Sequence, residues 1–206
     1  MTRYRAVLFD LLTALLDSWT LWNRVAGSDD TGLAWRRVYL KLTYESGAYV
    51  PYENLVRDAA VQAGVDVKRA AELIARWSEL APWPEAPGVV RELRERGLRI
   101  GVATNCSNAL APIAVGCVGA PIDVVVTAED AAYYKPRPEP YRLALQRLGE
   151  DARDVLFVAG SAADVPGATA VGMPVFWHNR IGLPAADPRV RPLRVADSLT
   201  PLLELA

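Results

Sequence analysis

Four places in the chain carry side chains able to do chemistry, and each directly follows an apolar run. Asp10 ends "RAVLFD", Thr104 and Asn105 end "LRIGVATN", Lys135 sits in "AEDAAYYKPRPEPY", and Ser161 and Asp164 lie in "AGSAAD". An aspartate closing a stretch that reads as a buried strand is costly unless something stabilises or uses its charge. Lysine is scarce here, with three (Lys41, Lys68, Lys135) among 23 basic residues, and Lys135 stands in a loop stiffened by Pro136 and Pro138. Each residue has a bland reading: Asp10 as a helix cap, Thr104-Asn105 as a turn, Lys135 as a solvated surface group, Asp164 as a cap for the helix containing Pro166. Together at successive strand ends they point to one site, with Asp10 facing Lys135 across it.

The elements that must position them follow from the pattern of apolar runs. "LRIGVAT" (98–104), "IDVVVTA" (122–128), "DVLFVAG" (154–160) and "PVFWH" (174–178) resemble the first run. Helical periodicity lies between most of them, at 88–96, 139–148 and 165–171, the first two stopped by Gly97 and Gly149. Buried runs alternating with helices indicate an α/β protein whose parallel sheet is covered on both faces. Ligands of such sheets bind beyond the carboxyl ends of the strands, where these polar residues fall. Residues 15–85 differ: three segments, at 31–49, 52–64 and 67–80, are helical in pattern, and five of the six tryptophans lie here, ending at the proline-rich "APWPEAPG". The expected division is a core of 1–14 and 86–206 with a helical cap, 15–85, inserted after the first strand. The tail "SLTPLLELA" reads as a capped terminal helix.

Composition narrows the function. Of 206 residues, 51% are hydrophobic and 23% charged, as in an ordinary globular protein. A net charge of −1 without a basic block argues against a nucleic-acid surface. No apolar run approaches membrane-spanning length and no leader pattern is visible, so a cytoplasmic protein with reduced thiols is expected. Cys106, Cys117 and the single histidine, His178, have no metal-ligand spacing.

The motifs in order resemble the haloacid dehalogenase superfamily: "VLFDLLTALLD", "VATN", "YKPRPEPY" and "FVAGSAADVPGATAVGMPVFWHNR". The resemblance spans essentially the whole chain. It implies a doubly wound, Rossmann-like parallel sheet with a cap after the first strand, Asp10 as covalent nucleophile and Lys135 holding its charge. Phosphatases of the superfamily carry a second aspartate two residues after the nucleophile, where this chain has Leu12. They bind Mg²⁺ through extra carboxylates in a G-D-S-x-x-D motif, where this chain reads Ala159-Gly160-Ser161-Ala162-Ala163-Asp164. A phosphoryl group needs the metal's charge, and a hard cation needs several oxygen ligands.

The branch lacking both acids is similar to the L-2-haloacid dehalogenases, which use no metal or other cofactor. Halide leaves without a proton, so no general acid is needed. The resemblance places Arg36, in "LAWRRVYL", as the halide receiver. It makes Thr104 and Asn105 binders of the substrate carboxylate or ester oxygen, and Tyr141 a support of the pocket. Ser161 belongs to the substrate-binding set, and Asp164 pairs with Lys135 or helps activate water. The departures from the branch are at Leu12, Thr13, Ala14, Ala159 and Ser161; Thr13 can supply a displaced hydroxyl. The expected reaction is metal-independent hydrolysis of a small 2-substituted acid, most concretely a 2-haloacid. The alternatives are a phosphatase with degenerate acid motifs, or an inactive binding member of the fold. The expected partner is a small organic acid, with no nucleic acid or membrane; the family and the aromatic content suggest a homodimer.

Overall fold

The computed structural model describes residues 4–206. Strand β1 (Ala6–Asp10) is buried at every position, as a strand covered on both faces must be. Four helices follow before the sheet resumes: α1 (Ser18–Ala26), α2 (Asp29–Glu45), α3 (Tyr52–Gln62) and α4 (Val67–Ala75). Then come α5 (Ala86–Glu95), β2 (Arg99–Thr104), α6 (Ala111–Cys117), β3 (Val124–Thr127), α7 (Ala128–Ala131), α8 (Pro138–Leu148), β4 (Val155–Ala159), α9 (Asp164–Ala170), β5 (Val175–His178) and β6 (Arg194–Ala196). The strands form one parallel sheet in the order β3-β2-β1-β4-β5-β6. This is a doubly wound α/β fold with β1 in the middle. The chain winds outward from β1 to β3 on one side and from β4 to β6 on the other. The switch point therefore lies between β1 and β4, where Asp10 and Asp164 emerge.

One apolar cluster joins a face of the sheet (Val7, Phe9, Val102, Val158) to the inner sides of α1–α5. A second lies on the opposite face under α8 and α9, around Leu8, Tyr141, Phe157 and Trp177. The tryptophans of the helical layer are mostly core. Trp22 lies tilted against Trp35 with ring centres 4.8 Å apart, and the chain of rings runs on through Tyr39 and Tyr52 to Trp77.

The expected elements differ in places. The helix expected over 67–80 stops at Ala75 and becomes a 3₁₀ turn, Trp77–Glu79, which turns Trp77 into the core on the way back to the sheet. The tail forms only a 3₁₀ turn, Thr200–Glu204, without a side-chain cap. Strand β6 has three residues and no apolar alternation; its pairing with β5 defines it. Cys106 and Cys117 are free thiols. Among the described residues no helix is long and apolar enough to cross a membrane.

Candidate active site

Asp10 ends β1, and the chain then makes a turn of π-helix, Leu11–Leu15, closed by Leu16 N–H donating to Leu11 O. A helix start leaves backbone N–H groups unpaired, and Asp10 Oδ2 accepts from Thr13 N (2.9 Å) and Ala14 N (3.3 Å). The Thr13 hydroxyl donates to the same oxygen, which is the displaced hydroxyl expected from the sequence. Asp10 is thus a cap through Oδ2, while Oδ1 accepts from Lys135 Nζ at 2.8 Å. The loop is braced from outside. Trp83 Nε1 donates to Thr13 O, His178 Nδ1 to Ala14 O, and Ser18 Oγ to Leu12 O.

Lys135 is the hub of a buried ion cluster. Its Nζ lies 2.8 Å from Asp10 and 2.9 Å from Asp164 Oδ2, and all three side chains are nearly inaccessible. Burial alone would raise the Asp10 pKa, but the Lys135 charge and the hydrogen bonds to Lys135 and Thr13 outweigh it and hold it below the ordinary value. Burial opposes the Lys135 charge, yet the two carboxylates keep its pKa raised. Burial dominates at Asp164 and, with the Asp10 charge, leaves its pKa raised despite Lys135. Of the two carboxylates, Asp10 is thus the one whose charge the cluster favours. Asp164 stands in the first turn of α9 but does not cap it, because its oxygens are taken by Lys135 and by the Tyr141 hydroxyl (2.7 Å). The α9 backbone passes close here: a Cβ on Gly167 would lie 2.8 Å from Tyr141 Oη and from Pro136.

Two expected ligand-binding residues, Thr104 and Asn105, have partners within the protein. Thr104 is fully buried, outside the pocket, with its hydroxyl against Cys106. Asn105 lines the pocket, but Oδ1 accepts from Lys135 N and Nδ2 donates to Lys135 O, so it fixes the lysine loop.

Arg36 comes from α2. A Cβ on Gly32, one turn earlier, would fall 2.6 Å from Asn23 Cα, so α2 crosses α1 closely there. That approach sets the Arg36 guanidinium 3.9 Å over Trp19. Nη2 donates to Ser18 Oγ at 2.9 Å, whereas Nη1 is buried without a hydrogen-bond partner. Burial lowers the Arg36 pKa. One turn further along α2 the Tyr39 hydroxyl is also buried without a partner. Both residues line the same pocket as Asp10 and Lys135. An unpartnered buried donor costs stability, and these two groups stand unpaired in residues that line the Asp10 pocket. Tyr44, also from α2, is 45% exposed as a residue, but its hydroxyl end points toward Ser161 among protein atoms, and that desolvation with the Asp164 charge raises its pKa to about 12. Ser18, Tyr39 and Tyr44 escape a sequence reading: each is an ordinary polar position in a helical segment.

The positions that would carry a phosphatase's acids are closed. A Cβ on Gly160 would meet Ala14 N at 2.3 Å and Thr13 Oγ1 at 2.4 Å, so the nucleophile loop fills the space a carboxylate would need. Position 12 is a buried leucine. Among the described residues no three His, Cys, Asp or Glu side chains gather in a metal-binding group.

Comparison with known proteins agrees with this construction. A family model described as haloacid dehalogenase-like hydrolase matches residues 14–172. The chain is 27% identical over 198 residues to haloacetate dehalogenase H-2 of Moraxella sp. (strain B), covering 88% of each. It is 29% identical over 199 residues to (S)-2-haloacid dehalogenase of Pseudomonas sp. (strain YL), covering 88% of this chain and 85% of that one. A solved L-2-haloacid dehalogenase superposes with a TM-score of 0.86 at 26% identity, covering 98% of each chain.

Proposed function

The chain belongs to the haloacid dehalogenase-like hydrolases, and from that premise we propose that it hydrolyses the carbon–halogen bond of 2-haloacids through an ester on Asp10, with residues 15–85 as the cap. One observation carries the reading: an ionised carboxylate, Asp10, shares a pocket with two buried donors that lack partners, Arg36 Nη1 and Tyr39 Oη.

Oδ2 of Asp10 is occupied by three donors, while Oδ1 has only Lys135, so Oδ1 is the attacking atom. It forms a bond to C2 of the acid as the carbon–halogen bond breaks, and the halide leaves with the bonding electrons toward Arg36. Water then adds to Cγ of the ester. Negative charge develops on Oδ2, where Thr13 N, Ala14 N and the Thr13 hydroxyl already point, an oxyanion hole made from the helix cap. The Cγ–Oδ1 bond breaks and the 2-hydroxy acid departs with that oxygen, which takes up the proton that the water gave; Asp10 takes its replacement oxygen from water. Asp164, whose pKa is raised, is the group suited to receive the water proton. Attack from behind at C2, then hydrolysis at Cγ, gives inversion at C2. The hydroxyls of Tyr44 and Ser161 remain to hold the substrate carboxylate.

Phosphoryl transfer is not favoured, because Leu12 supplies no acid and Gly160 leaves no room for one. A binding protein with a relic aspartate is not favoured either, since the Oδ2 donors, the Lys135 hub and the unpaired donors of Arg36 and Tyr39 surround one carboxylate. Reduced Cys106 and Cys117 suit a cytoplasmic setting. Homodimerisation through the helical layer is also proposed, to be read from the solution mass. The reaction is tested by halide release from L- and D-2-chloropropionate and bromoacetate, with EDTA present, comparing the wild type with Asp10→Asn. Release by the wild type alone supports the proposal; release that needs Mg²⁺, or that survives Asp10→Asn, refutes it.

A further inference from the structure

We infer that the acid this site accepts carries an apolar chain at C2 of about four carbons or more, seated in a second cavity that opens from the reaction pocket. The inference rests on the haloacid reading for its chemistry but on the shape of the molecule for its content.

The reaction pocket is narrow, with a free volume of about 40 Å³ against about 270 Å³ in the space beside it. A long substituent at C2 must therefore project elsewhere.

The structure offers one direction for it. A cavity of about 270 Å³ adjoins the pocket and shares Thr13, Arg36, Leu40, Tyr44, Ser161 and Ala163 with it. Its outer wall is Trp19, Leu33, Ala162, Leu183, Pro184 and Ala186. An apolar cavity of roughly 150 Å³ accepts a benzene-sized guest, so this one takes a chain or ring of six carbons with room to spare. Beyond the shared residues the wall is aliphatic and aromatic apart from Arg37 at the exposed rim. A polar chain there would lose water without gaining partners, whereas each buried methylene gains. Arg36 borders both spaces, with its guanidinium over Trp19 of the outer wall and its Nη1 without a hydrogen-bond partner. A single substrate can thus place its halogen near Arg36 and its chain along the Trp19 wall.

The test is a chain-length series, 2-bromopropionate, 2-bromobutanoate, 2-bromohexanoate and 2-bromooctanoate, read as kcat/KM for bromide release. Beside it, propionate and hexanoate, which have no halogen, are titrated calorimetrically. Burial of a methylene corresponds to about a fourfold gain. The six-carbon bromoacid is therefore expected to exceed the three-carbon one by tenfold or more, with hexanoate binding tighter than propionate in step. Leu33→Trp and Ala186→Trp, which fill the chamber from two sides, are expected to cut the six-to-three-carbon ratio at least tenfold. A flat or falling series with hexanoate binding no better than propionate overturns the chamber and leaves dehalogenation standing. A preference that survives both filling variants overturns the placement. No bromide from any acid, with hexanoate still the tighter ligand, overturns the haloacid reaction and leaves the chamber.

Discussion

Replacing Lys135 by methionine separates the electrostatic role of the hub from its packing. The methionine keeps an unbranched apolar stem and removes the one cation between Asp10 and Asp164, which lie 2.8 and 2.9 Å from its nitrogen. Breaking a buried ion pair from one side costs about 3–5 kcal/mol because a charge is left uncompensated. Here two carboxylates are left, and like charges at this range cannot both stay ionised. In the variant their folded-state pKa values lie above those of the unfolded chain. The native state then binds more protons than the unfolded one, so stability falls as pH rises through that window, by up to about 1.4 kcal/mol per pH unit for each extra proton. In the wild type Asp164, whose pKa is already raised, acts in that same sense, while Asp10 acts in the opposite one. Its pKa is depressed, so its contribution is present above the unfolded value and is lost as pH falls through the folded one. The raised pKa of Lys135 keeps its contribution intact throughout this range. The destabilisation of Lys135→Met relative to wild type should accordingly be about 3–5 kcal/mol at pH 8 and distinctly smaller at pH 5, measured by urea unfolding. Hydrolysis should be lost at both. A difference below about 1 kcal/mol, or one that does not change with pH, would refute the picture of a single cation holding two buried carboxylates.

Three further outcomes test the parts. Thr13→Val removes the hydroxyl from Asp10 Oδ2 but keeps both backbone donors, and should slow ester hydrolysis by about 10²-fold. A rapid-quench experiment should then show a burst of one halide per active site before a slow steady rate. Gly160→Ala places a carbon 2.3 Å from Ala14 N, so it should displace the nucleophile loop, cost about 1–3 kcal/mol on thermal unfolding and abolish turnover. The pair Gly160→Asp with Leu12→Asp should show no Mg²⁺-dependent release of phosphate from p-nitrophenyl phosphate. Arg36→Met should lower kcat/KM by at least about 10²-fold while leaving the midpoint of thermal unfolding unchanged or raised, because it removes a buried guanidinium with an unpartnered nitrogen. Equal loss of stability and activity would instead make Arg36 a structural residue.

Much of the site could be read along the chain because its members break a local pattern. Asp10 is a charge at the end of a buried run, Lys135 is a scarce residue in a proline-held loop, and Asp164 follows the fourth run in a small-residue turn. The parallel sheet was legible for the same reason: β1, β2, β3, β4 and β5 bury both faces, so their apolar runs are continuous. Arg36 needed the family resemblance, since an arginine on a helix carries no signal of its own. Strand β6 left no trace in the pattern, because three residues at a sheet edge bury too little to shape composition.

What the sequence by itself determined is which residue types stand at the strand ends, and hence the kind of chemistry available. Only the tertiary structure decided how each is used. Asp10 and Lys135 are 125 residues apart along the chain and meet because β1 and the loop after β3 reach the same rim. Thr104 and Asn105 are neighbours in the chain, yet the fold sets Thr104 against Cys106 and puts Asn105 in the pocket wall, bonded to the Lys135 backbone. Tyr39 looked like any core aromatic, and it lines the pocket with its hydroxyl left without a partner. Local periodicity sets which face of an element is buried. The partner that a polar group finds depends on the packing of elements distant in sequence, and so do the voids between them.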